Sequence, residues 1–195
     1  ASKLAVFIDD LLRENGITAK DCDGVAVSKG PGSYTGLRVG VSTAKGISFG
    51  GGIPLISVGT LDTLAFQAIT EKLLPEGCRR IVPMIDARRM EVYCSEFDEK
   101  GNETGDTAAV VLDENSFREN LTAGKTLFIG DGVEKFSEIM AGNANAYFAH
   151  CCPKASAMLL PALRNLEEGI MEDTAYFEPF YLKEFVATKS RKKIL

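Results

Sequence analysis

A short apolar strand running through three closely spaced glycines into a helix leaves a chain few folds to choose from. Residues 24–28 (GVAVS) read as such a strand, and Lys29-Gly30-Pro31-Gly32-Ser33-Tyr34-Thr35-Gly36-Leu37-Arg38-Val39-Gly40 follow at once. Gly30 and Gly32 permit a tight turn, Pro31 stiffens it, and Ser33 or Thr35 can cap the helix predicted over 37–49. Backbone amides and the dipole at such a helix start favour an anion. Gly30, Gly32, Ser33, Thr35 and Gly36 are therefore candidate anion or nucleotide contacts. The spacing G-x-G-x-x-x-G matches neither the dinucleotide fingerprint nor a Walker loop, so a purely structural turn stands beside that reading.

Around this core the pattern alternates helix and strand, which predicts an α/β protein with a mixed sheet. A helix is expected over 2–15 with Ser2 as a cap and Gly16 as its stop, a strand over 54–58, and a helix capped by Thr60. Pro75 and Gly77 punctuate the chain and divide it into a first lobe, 1–76, and a second, 77–195. The second lobe reads as strands 80–85, 90–97, 107–112, 126–129 and 146–149 with helices 115–122, 133–141 and 155–168. The first lobe shows only two strands, a poor core, and is expected to be incomplete at its N-terminal side.

Two helices carry more than their own lobe requires. On 2–15, Leu4, Ala5, Phe7, Ile8, Leu11 and Leu12 fill an arc of roughly 160°, where a surface helix needs only about 100°. On 37–49, Gly36, Gly40 and Ala44 recur every four residues, a smooth stripe that another helix can approach closely. Packing within the lobe accounts for the stripe equally well. Leu4, Phe7, Ile8, Leu11, Gly36, Gly40 and Ala44 are the candidate partner face, and on this reading Gly40→Leu abolishes pairing without unfolding the lobe. Arg38 and Lys45 are expected on a solvated face.

Several chemistries find no support. The chain has a single histidine, His150, and no Cys, His and carboxylate cluster with ligand spacing, so no metal site is expected. Ser42-Thr43-Ala44-Lys45 matches S-x-x-K without the accompanying S-D-N and K-T-G elements, and no catalytic residue is assigned. The five cysteines form no C-x-x-C pair and, with no secretory signal or long apolar run, predict a cytoplasmic protein. A net charge of −5 argues against free-standing nucleic-acid binding. Gly130-Asp131-Gly132, between strand and helix, is a further candidate nucleotide edge, and Asp86-Ala87-Arg88-Arg89 a strand turn whose charges can meet a phosphate or a partner; both read as ordinary turns as well. Lys189, Arg191, Lys192 and Lys193 form a basic tail expected to be solvated.

The string GPGSYTGLRVG, followed by STAKG, MIDARRMEVY, IGDG and FEPFYL, resembles the TsaB family in order and spacing along essentially the whole chain. The resemblance implies the actin/Hsp70-like (ASKHA) nucleotidase fold, glycoprotease-like in older descriptions, with a strand hairpin ahead of residue 2 in the first lobe. It further implies a non-catalytic scaffold for TsaD in the transfer of threonylcarbamoyl groups to tRNA. TsaD carries two metal-binding histidines on the helix that matches 37–49, which here has none. The expected partners are TsaD and TsaE, with a homodimer when alone and tRNA met indirectly. ATP or ADP is expected in the complex and no cofactor on the chain by itself. The competing readings are a stand-alone nucleotide-binding module and a glycoprotease-like hydrolase.

Overall fold

The computed structural model describes residues 3–183 and shows a mixed α/β architecture on two sheets. In the first, β1 (Val25–Gly30) and β2 (Leu55–Gly59) run parallel, with Val25 opposite Leu55 and Ser28 opposite Val58. Alternation along these strands sorts their side chains onto two faces. Val27 and Leu55 meet Val41 and Ala44 of α2 (Tyr34–Gly51), while Ile56 and Val58 meet Ala162 of α6 (Leu159–Glu167). Helix α1 (Leu4–Glu14) lies beside α2 and buries none of its residues.

The second sheet has the order β5 (Glu103–Val111), β4 (Glu91–Asp98), β3 (Arg80–Asp86), β6 (Thr126–Gly130), β7 (Ala146–His150). Its centre is buried on both faces, which is why IVPMI and LFIG read as unbroken apolar runs. One face is covered by α3 (Thr60–Thr70), whose Leu61, Leu64, Ala65 and Ala68 pack on Ile81, Ile85, Phe97, Leu127 and Ile129. The other face holds α4 (Arg118–Ala123), α5 (Val133–Ile139) and an aromatic cluster of Phe117, Phe128, Phe136 and Phe148, with ring centroids 4.9–6.0 Å apart. Phe128 and Phe148 stack and the other pairs meet edge to face, which adds to the stabilisation from burial.

The chain passes between the sheets more than once. Helix α3 follows the first sheet but packs on the second. Helix α6 and the segment after it return to the first. Glu172 N–H donates to Leu55 O at 2.8 Å, Thr174 and Ser48 hydroxyls lie 3.0 Å apart, and Phe177 packs against the α2 core. Lys45 Nζ donates to Ala175 O and Phe177 O at 3.0 and 3.1 Å. Residues 171–183 thus form a strap along one side of α2.

Four local expectations need correction or relocation. Thr60 does not cap α3; Gly59 holds that position, because the Thr60 hydroxyl turns to Ser28 Oγ at 2.6 Å. Lys45 is half-buried rather than solvated, its ammonium committed to strap carbonyls that stay hidden in the local pattern. Ser33 rather than Thr35 caps α2, its Oγ accepting from Gly36 N–H at 3.4 Å. Gly24 precedes β1, which runs on to Gly30, and α2 starts at Tyr34. Ser2 and the basic residues Lys189, Arg191, Lys192 and Lys193 lie outside the described residues.

Candidate functional site

The turn from β1 into α2 is built around Gly30, with φ +112°, and the Gly30–Pro31 peptide is cis. A side chain at Gly30 would bring a Cβ within 2.5 Å of Phe180 O, so glycine is required by the strap as much as by the turn. Phe180 N–H donates to Lys29 O at 2.7 Å. Tyr181 lies against Tyr34 with centroids 4.8 Å apart. Arg38 stacks over Tyr34 at 4.4 Å and donates from Nε to Tyr181 Oη at 3.3 Å. The tyrosine hydroxyl raises the Arg38 pKa further above its ordinary value. The strap therefore covers the side of the loop that Gly30 opens. Gly32 is half-buried near Leu37, while Ser33, Thr35 and Gly36 are exposed.

The second glycine turn is also committed internally. Asp131 Oδ1 accepts from Asp86 N–H at 2.9 Å, and Gly132 N–H donates to Met84 O at 3.1 Å. Among the described residues no hydrogen bond joins Gly130, Asp131 or Gly132 to the Gly30–Gly36 loop. The Gly130–Gly132 turn is thus tied to β3, while Ser33, Thr35 and Gly36 at the start of α2 stay exposed.

Beside that turn, Arg88 and Arg89 both adopt positive φ, +71° and +52°, in the tight connection of β3 to β4. Lys135 Nζ closes it, bonding Asp86 Oδ1 at 2.5 Å, Arg89 O at 2.8 Å and Glu91 O at 2.7 Å. The Lys135 hydrogen bond holds the Asp86 carboxyl below its usual range. A lowered folded pKa stabilises above the unfolded value near about 4 and loses that stabilisation as pH falls through the folded one. The melting-temperature gap between wild type and Lys135→Met is expected to be widest above about pH 4 and to narrow below it. A gap independent of pH would show that the pair contributes no charge-dependent stability.

The face between α1 and α2 is different in character. Ala5, Ile8 and Leu12 of α1 face Thr43, Gly46 and Ile47 of α2 across an open groove of about 400 Å³. On the outer side of α1, Val6, Phe7 and Leu11 are 55%, 63% and 59% exposed, and Phe49 of α2 is 86% exposed. Leu4 and Ile8 are half-buried. The two halves of the sequence-derived face are therefore placed differently: the α1 residues are exposed or half-buried, and the α2 residues divide. Ala44 is buried against Val27, Val41 and Leu55, and a Cβ on Gly40 would lie 3.7 Å from Val27 Cγ2. Both turn inward, so Gly40→Leu would crowd β1 instead of testing a partner. Gly36 is exposed, with its nearest neighbours in Ser33. Gly46, whose added Cβ would meet nothing within 4 Å, is the open glycine of the groove. It and Val6 escaped the sequence reading, although Gly46 follows Thr43 at the i+3 spacing of a shared helix face.

Other candidates find no site. His150 is exposed at the end of β7, and no three His, Cys, Asp or Glu side chains among the described residues can together hold a metal ion. Lys45 of the S-x-x-K string is held by the strap, away from any base role toward Ser42. Cys151 is half-buried, its thiol pushed up by desolvation, beside an exposed Cys152, and both are free. No helix among the described residues is long and apolar enough to cross a membrane.

Comparison with known proteins adds to this geometry. The family described as TsaD, tRNA N6-adenosine threonylcarbamoyltransferase, matches residues 1–190. The tRNA threonylcarbamoyladenosine biosynthesis protein TsaB of Escherichia coli (strain K12) is 30% identical over 195 residues, covering 96% of this chain and 82% of that one. TsaB of Haemophilus influenzae is 38% identical over 94 residues, covering 48% of this chain and 38% of its own. The solved structure of YeaZ from Pseudomonas aeruginosa superposes with a TM-score of 0.78 at 27% identity, covering 93% of this chain and 84% of that one.

Proposed function

Since the chain belongs to the TsaB family of tRNA threonylcarbamoyladenosine biosynthesis proteins, we propose that it serves there as a non-catalytic scaffold. In this reading it binds TsaD and activates it to transfer a threonylcarbamoyl group from its adenylate to the tRNA adenosine next to the anticodon. TsaE joins the pair, the chain alone is a homodimer, tRNA is met through TsaD, and the setting is the cytoplasm. ATP or ADP binds in the complex.

The observation that carries this reading is α1. It is an amphipathic helix of eleven residues with none of them buried and an apolar groove on its α2 side. Exposed apolar side chains rimmed by charge mark a docking surface. Lys3, Asp9, Asp10, Arg13 and Glu14 supply that rim, with Arg13 and Asp9 paired at 2.8 Å. A helix pair of this kind suits a second helix pair, through ridges packed into grooves.

The chemistry of the chain points the same way. Helix α2 contains no histidine where the resemblance places the metal pair of TsaD. Transfer to tRNA by TsaD is expected to rise several-fold when this protein is added, and the protein alone is expected to transfer nothing. Transfer by the isolated, metal-analysed chain would overturn the non-catalytic reading. An unchanged TsaD rate would overturn the activating one.

A further inference from the structure

A polar cavity of about 300 Å³ lies where the end of β2, the first turns of α3, the β4–β5 connection and α6 converge. It shares no lining residue with the α1–α2 groove, while Lys29 at its edge leads into the first glycine turn, its carbonyl accepting from Phe180 N–H. Its wall carries two cations, Lys29 and Arg164, and two carboxylates, Asp62 and Glu103. Neither cation forms an ion pair among the described residues; Arg164 instead rests 5.4 Å from the centroid of buried Phe66.

Lys29, Arg164 and Glu103 are exposed at its mouth and Asp62 is half-buried; Glu103 Oε1 also accepts from Ser95 Oγ at 2.7 Å and from Thr107 Oγ1 at 3.4 Å. The Asp62 carboxylate folds back over the start of α3, so that a Cβ on Gly59 would lie 1.9 Å from Asp62 Oδ2. Gly59 has an ordinary φ of −62°, and its lack of a side chain serves the carboxylate rather than the backbone. Burial raises the Asp62 pKa, nearby Glu103 raises it further, and Lys29 opposes them. A cationic group entering between the two carboxylates would relieve that tension.

We propose that this cavity binds a small zwitterion of the α-amino-acid class, its carboxylate on Lys29 and Arg164 and its ammonium on Asp62 and Glu103. An ion of one sign leaves the opposite pair unmatched and is disfavoured. The volume is at the lower end for ligand pockets and suits a molecule of this size.

The test is a titration of the isotopically labelled full chain with glycine, acetate and methylammonium, followed by amide correlation spectra. Glycine is expected to shift the amides of Gly59, Asp62, Gly101 and Glu103 saturably, with a dissociation constant of about 1 mM or tighter. Acetate and methylammonium are expected to bind about tenfold more weakly or worse. Arg164→Gln, on an exposed stretch of α6, and Gly59→Ala, which displaces the Asp62 carboxylate, should each weaken glycine about tenfold while the spectrum stays folded. No saturable shift with glycine, equal binding of acetate, or unchanged binding in both variants would overturn the proposal. It does not depend on partner docking, so its failure leaves the scaffold reading untouched.

Discussion

Gly46→Glu is expected to abolish pairing through the α1–α2 groove while leaving the protein as stable as before, or slightly more so. Nothing lies within 4 Å of the position a Cβ would take, so the glutamate meets no neighbour in the free chain. Replacing a glycine in the interior of a helix gains up to about 1 kcal/mol in propensity. In a complex the same carboxylate would be driven between Ala5, Ile8 and Leu12 on one side and Thr43 and Ile47 on the other, with no cation to meet it. An unpaired buried charge at an interface costs about 3 kcal/mol or more, which weakens binding at least about 100-fold. Calorimetric titration against TsaD and a melting curve of the free variant check both halves. Normal binding would remove the groove from the interface. A melting temperature several degrees lower would show that Gly46 serves the fold.

Gly130→Ala is expected to produce the largest loss of stability among the glycine replacements. Gly130 has φ +131°, where an L residue is strained, and its Cβ would fall 2.1 Å from Met84 O in the central strand β3. That carbonyl already accepts from Gly132 N–H, so it is not free to move. Strain of about 1–3 kcal/mol and displacement of a packed strand together suggest a loss of about 3 kcal/mol or more. For a chain of this length that is about 10 °C in melting temperature. Gly142→Ala provides the comparison. Its φ is +88° but nothing lies within 4 Å, so only the backbone strain of about 1 kcal/mol remains. Equal melting temperatures for the two variants would refute the close approach at Met84. The contrast also bears on function. A glycine turn that resembles a nucleotide edge is, in this chain, demanded by how β6 meets β3.

Most elements were legible in the sequence because their patterns are local. The apolar runs of β3 and β6 and the amphipathic α1 with Gly16 just after it each follow from residues within a few positions. Contacts between distant segments left no such trace. Nothing near Lys45 or Ser48 foretells that Ala175, Phe177 and Thr174, over a hundred residues away, will bind them. The turn of Thr60 toward Ser28 is hidden for the same reason, since a threonine at a helix start reads as a cap unless its cross-strand partner is known. The Gly36, Gly40 and Ala44 stripe shows the limit most clearly. Small residues at helical spacing invite any close neighbour, and only the positions of Val27 and Leu55 decide that Gly40 and Ala44 face their own sheet. On α1 the excess width of the apolar arc was the informative signal, and the exposure of Phe7 and Leu11 agrees with it.

The central claim is that this chain is a docking subunit, and light scattering on a size-exclusion column tests it most directly. The protein would be run alone and then mixed with TsaD from the same organism at micromolar concentration. The account predicts a homodimer that converts to a stable one-to-one complex with TsaD, and no complex when the protein carries Gly46→Glu. Separate elution of the two wild-type proteins would contradict it.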